Sequence, residues 1–173
     1  MRKLVRLFAV SIVGIITFGS LASAAKAPLP TLEPLSVAVR ASEGMSEPAI
    51  VFRHGDISWL PKLAAKAGWP PRTWKRLGEI VLRESGGCPT RIGGSVVDKD
   101  CNFIRMATMS HPSDTGLLQV NGINWDLKRT KLAIVCVRMG VCTQEELMNP
   151  ITNLRAGKLL YDVAGWSPWN PQK

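Results

Sequence analysis

Apolar residues follow three different rhythms along the 173-residue chain. The first is a continuous run, LFAVSIVGIITFGSLA from Leu7 to Ala22, preceded by Arg2, Lys3 and Arg6 and followed by Ala22-Ser23-Ala24. A positive start, an apolar middle and an A-x-A end describe a secretory leader over residues 1–24. The rival reading, an uncleaved anchor, needs roughly 20 apolar residues to span a bilayer, and this run falls slightly short. From Lys26 to Glu47 no period is sustained among the prolines, alanines and serines. Residues 25–57 therefore read as a linker or loosely docked arm, and 58–173 as the folded domain.

The second rhythm is helical. SWLPKLAAKAGW, from Ser58 to Trp69, suits a short helix broken by Gly68 and the pair Pro70-Pro71. PRTWKRLGEIVLRE places Trp74, Leu77, Val81 and Glu84 on nearly one stripe, with Ile80 beside it. Pro71 fits a first turn, where a missing N–H costs nothing, and Gly86 and Gly87 supply a left-handed stop. Thr143 to Glu146 is a capping-box pattern. In NPITNLRAGKLLYDVAG, Asn149 can cap, Pro150 takes the first turn, Ala156, Leu160 and Val163 make a stripe, and Gly165 ends it. Trp166 and Trp169 follow that stop.

The third rhythm is short. Between Cys88 and Val120 the chain is rich in Gly, Asp and Ser, and GLLQVN, Gly116 to Asn121, is a brief apolar run of strand type. The expected class is mostly α, an α+β domain of helices with a small β-hairpin region and two disulfides.

Charge and cysteines place the domain. Twenty-two basic residues against 13 acidic ones give a net charge of +9, falling to about +6 without the three cations of the leader. That surplus draws a protein towards polyanions such as wall polymers, acidic lipid faces or nucleic acid. An exported chain rarely meets nucleic acid, and no dense Arg/Lys stripe with interleaved aromatics is present, so an anionic cell wall or envelope is the expected partner. Four cysteines, Cys88, Cys101, Cys136 and Cys142, suit two disulfides in an oxidising compartment, and three pairings are possible. Local pairing, Cys88 with Cys101 and Cys136 with Cys142, is expected because each closes a short loop. Neither C-x-x-C nor a paired-histidine motif occurs, and His54 and His111 stand alone, so no metal and no organic cofactor is expected.

The chemistry turns on Glu84. It shares its stripe with Trp74, Leu77 and Val81, which carries it towards the core or the edge of a cleft. Apolar surroundings disfavour a carboxylate's charge, and the negative end of a helix dipole pushes the same way. An acid that keeps its proton near neutral pH is what general-acid catalysis needs. The pattern alone equally allows a glutamate at a frayed helix end, tipped into water.

RESGGCP, DTGLLQVNGINW and NPITNLRAGKLLYDVAGWSPW, in that order between about Trp74 and Trp169, resemble the lysozyme-like lytic transglycosylase superfamily. That family carries a helix-ending Glu-Ser-Gly segment, a Gly-Leu-Met-Gln-Ile-like segment, and a later Pro-x-x-Asn helix with an aromatic near its end. The resemblance implies that Glu84 protonates the β-1,4 glycosidic oxygen between N-acetylmuramic acid and N-acetylglucosamine in peptidoglycan glycan strands. It implies that Ser85 holds the carboxyl or an N-acetyl group, that Gln119 and Asn121 line the sugar cleft, and that Tyr161 faces the acid. Each has a plainer rival: Gln119 and Asn121 can pair backbone in a hairpin, and Tyr161 can be core. Trp166 and Trp169 can stack on sugars or pack the last helix.

Asp114 departs from the transglycosylase pattern. Animal-type lysozymes are similar here, with an aspartate two residues before the matching glycine. A retaining hydrolase needs a second carboxylate about 5–5.5 Å from the acid, and lysozyme is the type example of that chemistry. The alternative is that Asp114 caps an Asp-Thr-Gly turn. The expectation is thus an exported, monomeric peptidoglycan-cleaving enzyme, a transglycosylase or, with Asp114, a muramidase-type hydrolase. The rivals are a non-catalytic wall-binding module and a cationic membrane-active protein.

Overall fold

The computed structural model describes residues 49–108 and 110–170. The leader, and the arm as far as residue 48, lie outside the described residues. The described chain is helix-dominated with one two-stranded antiparallel sheet. It begins to pack upstream of Ser58: Ile50, Phe52 and Ile57 lie against the core, and the Phe52 ring meets Trp59 edge-on at 4.9 Å.

Helix α1, Leu60–Lys66, buries Leu60, Leu63 and Ala64, the one-sided spacing of a short amphipathic turn. Pro71 opens a 3-10 turn, Pro71–Thr73, that runs into α2, Trp74–Ser85. Leu77, Ile80 and Val81 on α2 are completely buried. Each contributes about 1.5–3 kcal/mol by leaving water. The helix stops at Gly86, whose φ of +64° suits glycine and whose N–H donates to the Leu82 carbonyl. A side chain at Gly86 would also collide with the His54 imidazole, so two independent constraints hold this position.

Beyond the stop come β1, Ser95–Val97, and β2, Phe103–Met106, paired antiparallel with an irregularity at Val96/Val97. Asp98 shapes the tip by accepting from the Asp100 and Asn102 backbone and from the Asn102 side chain. The Cys88–Cys101 disulfide clips that tip to the end of α2. A second disulfide, Cys136–Cys142, joins α3, Ile134–Met139, to the start of α4, Gln144–Met148. Both local pairings expected from spacing are therefore present.

GLLQVN does not form a strand. Thr115 and Val120 exchange backbone hydrogen bonds of 3.2 and 2.9 Å, which closes a tight turn over Gly116 to Gln119. Leu117 and Leu118 are adjacent yet both fully buried. The run is apolar because the turn is pushed into the core, not because one face of a sheet is covered.

The capping box at Thr143 and Glu146 starts α4, and Asn149 caps α5, Pro150–Ala164, through the Ile151 and Thr152 N–H groups. Helix α5 packs against α1, α3 and α4. Asn153, Leu154, Ala156, Gly157 and Leu160 form its buried face. Val163 departs from the expected stripe: it is 58% exposed, because the last turn of α5 runs past the core. The Gly165 N–H closes that turn on the Tyr161 carbonyl, and the 3-10 turn Ser167–Trp169 brings Trp169 back into the core.

Candidate active site

Hydrogen bonds link three segments in series from Glu84: the end of α2, the aromatic turn after α5, and the turn from Thr115 to Val120. The α2 stripe delivers Glu84 to the margin of the core, between buried Val81 and Ser85 and exposed Leu82 and Arg83. Its side chain stays 26% exposed, so the expected apolar shelter is incomplete. Arg83 donates from Nε and Nη2 to one oxygen of Glu84, Oε1, at 3.0 and 2.7 Å. The same Nη2 donates to the Trp169 carbonyl. Among the described residues no hydrogen bond engages Oε2.

Trp169 carries the connection onward. Its indole N–H donates to the Leu118 carbonyl at 2.9 Å, inside the core. Glu84, Arg83, Trp169 and Leu118 thus form a continuous chain of polar contacts that ends next to Gln119. Gln119 sits at φ +47°, a conformation that L residues rarely adopt, and it points its amide nitrogen at the Arg91 and Gly116 carbonyls, 3.1 and 2.9 Å away. Both amide donors are consumed in bracing the turn. Only the Gln119 carbonyl remains to meet a ligand, which narrows the donor-and-acceptor role expected from the sequence.

The turn itself hangs on Asn153. That side chain is completely buried; it accepts from Leu118 N–H at 2.9 Å and donates to the Thr115 and Leu147 carbonyls, both at 2.9 Å. Gly116, at φ +77°, leaves the room: a Cβ there would strike the Asn153 amide and the Leu147 carbonyl. Asn153 lies in the Pro-x-x-Asn pattern but received no role from the sequence. Its signal was a polar residue on the buried side of α5, three and seven positions before Ala156 and Leu160. Arg83 was also missed, since nothing in a helix pattern marks a neighbouring cation as a clamp.

Ser85 departs from its expected role, and the other assigned residues are placed as follows. Ser85 is fully buried; its hydroxyl donates to the Val81 carbonyl and accepts from the Gly87 N–H, so it ties off α2 and cannot face a sugar. Trp169 is buried with its indole N–H occupied, so it packs and does not stack on a ligand. Tyr161 is half-buried among aromatics, 5.2 Å from the Trp69 ring and 4.6 Å from Trp166. Asn121 is exposed; its carbonyl accepts from Ile123 N–H and its amide donates to Asp114 Oδ1 at 2.5 Å.

Asp114 does not cap the turn after it. Its carboxylate is engaged by Asn121, and no hydrogen bond or ion pair among the described residues joins it to Glu84. Burial, the largest influence, pushes the Asp114 carboxyl above the usual carboxylate range, while the Asn121 hydrogen bond and the charges of His111 and Arg129 pull the other way. Among the described residues no group of three or more His, Cys, Asp or Glu is placed to hold a metal ion. A separate apolar hollow of about 320 Å³, between Ile50 and Phe52, Leu63 of α1 and Ile151 of α5, contains none of these polar groups.

Comparison of the chain with family models, curated proteins and solved structures finds no match.

Proposed function

We propose that this protein is an exported, lysozyme-like lytic transglycosylase that cleaves the β-1,4 bond of peptidoglycan glycan strands with Glu84 as general acid and then base. The observation that carries the reading is the wiring of Glu84. A carboxyl at the end of a buried stripe is held by a guanidinium that also grips the post-α5 turn, and that turn grips the segment bearing Gln119. A surface glutamate with no task would need no such coupling. The helix-dominated fold, the small hairpin clipped to α2 and the two disulfides support the lysozyme-like assignment and export into an oxidising compartment.

The chemistry requires one carboxyl with two successive jobs. Oε2, which no hydrogen bond engages among the described residues, is the oxygen assigned to deliver the proton while Arg83 fixes the side chain through Oε1. The saccharide must loosen the Arg83 grip before proton transfer, and the Trp169 carbonyl already shares that guanidinium. Glu84 then gives its proton to the glycosidic oxygen, which keeps the electron pair of the breaking C1–O bond. The C6 hydroxyl of the same muramyl sugar attacks C1, and its proton returns to Glu84, leaving a 1,6-anhydro end. Asp114 favours this single-carboxylate route over the hydrolase alternative. Asn121 already holds one Asp114 oxygen, so that carboxylate is committed within its own turn and not left open for attack on C1.

Purified peptidoglycan tests the reading. Glu84→Gln removes the transferable proton and is expected to lower lysis by at least about 100-fold, the lower range of general acid–base catalysis. Unchanged lysis overturns the role given to Glu84, and binding without lysis by the unaltered protein leaves a wall-binding module. Mass spectrometry of the digest separates outcomes by one water: anhydro ends support the transglycosylase, whereas reducing ends alone assign hydrolysis and return Asp114 to the mechanism.

A further inference from the structure

Between the last turn of the candidate site and α4 lies a surface that the proposed chemistry does not use. The segment from residue 122 to 139 opens with a 3-10 turn, Gly122–Asn124, and closes with α3, which packs back against that turn. Its ends are therefore adjacent and its residues share one region of the surface. Ile123, Leu127, Leu132 and Val137 are 59%, 50%, 83% and 64% exposed, an apolar outlay that the core does not explain. Interleaved with them stand Lys128, Arg129, Lys131 and Arg138, all exposed. Asp126 is the one acid in the segment, and it is spent locally, accepting from Lys128 N–H and lying 3.6 Å from Arg129.

Exposed aliphatic side chains alternating with cations are the chemistry of an interface with acidic lipid: the apolar tips enter the headgroup boundary and the cations meet the phosphates. A soluble or wall-bound polyanion would use the cations and leave four large hydrophobes in water without purpose. Four cations against one acid within the segment itself exclude a cationic partner. We infer that the 122–139 segment is a docking surface for an anionic lipid bilayer, which would hold the protein at the membrane face of the wall. This inference goes beyond the proposed glycan chemistry and does not depend on Glu84.

The test is hydrogen–deuterium exchange of the full chain with vesicles of phosphatidylcholine containing about 30% phosphatidylglycerol, against pure phosphatidylcholine vesicles. Because exchange is read peptide by peptide, binding through any other part of the chain registers elsewhere. Peptides covering 122–139 are expected to be protected by the anionic vesicles only. Lys128→Gln with Lys131→Gln removes two cations and is expected to weaken that local protection about 25-fold in lipid concentration, taking about fivefold for each. Leu127→Ser with Leu132→Ser is expected to weaken it at least about tenfold, because exposed leucines gain only by entering the lipid. These residues are on the surface, so folding is retained and is checked by unchanged exchange in α5. Protection that survives the leucine changes but is competed away by heparin assigns the surface to polyanions and overturns the inference. Absence of protection in 122–139 overturns it as well.

Discussion

Replacing Asn153 by alanine should be among the most damaging single changes in this domain, although the residue touches no ligand in the proposed reaction. The side chain is 0% exposed and makes three hydrogen bonds of 2.9 Å. Truncation leaves the Thr115 carbonyl with its bond from Val120 N–H, but strips Leu118 N–H and the Leu147 carbonyl of the partner that the amide supplied. A buried polar group left bare costs about 1–3 kcal/mol, so two of them, with a small void added, cost about 3–5 kcal/mol. That is a large share of the roughly 5–15 kcal/mol that holds a domain folded, and corresponds to a fall in Tm of about 10–20 °C. Asn149→Ala is the control. It deletes the same amide from the same helix and breaks two bonds, but at an exposed cap where water replaces them, so about 1 kcal/mol is expected. Urea unfolding of the two variants with disulfides intact decides the matter. Equal losses, within about 1 kcal/mol, would refute the argument that burial, rather than bond count, sets the cost.

Gly86→Ala should cost about 2–3 kcal/mol, combining the left-handed penalty of about 1–2 kcal/mol with the collision against His54. His54→Ala in the same chain should recover the steric part alone, which a double-mutant cycle by thermal unfolding measures. Two carboxyls should change stability with pH in opposite senses. Asp114 is raised in the folded state by burial, so folding binds its proton and the wild type loses stability as pH climbs through the carboxylate range; Asp114→Asn should remove that loss. Glu146 is lowered by its Thr143 hydroxyl and by the Cys142 and Thr143 N–H groups, so its stabilisation is present above about pH 4.5 and disappears on acidification; Glu146→Gln should flatten the acid limb of a pH–stability curve.

Helix ends were legible from the chain because their signals are local. Pro71, Gly86, the Thr143–Glu146 box and Asn149-Pro150 act through neighbours within four residues, and each stands where its chemistry requires. The short disulfide loops were legible for the same reason. GLLQVN misled because Leu117 and Leu118 owe their burial to Asn153, a residue 35 positions from Leu118, and a short apolar run carries no mark of such a partner. The candidate site divided along the same line. The placement of Glu84 at the margin of the core follows from helical spacing. The tie from its partner Arg83 to the Trp169 carbonyl depends on how the end of α5 folds back, and no periodicity encodes that. Ser85 took its expected role from the resemblance alone, whereas a helix terminus next to two glycines needs that hydroxyl for its own loose ends.

Asn149 does two jobs at once, since its N–H closes α4 on the Glu146 carbonyl while its side chain opens α5. One residue serves as the knot between two springs, so neither can unwind at that junction without loosening the other. Fraying that would ordinarily begin at four separate tips is left only two places to start in this pair.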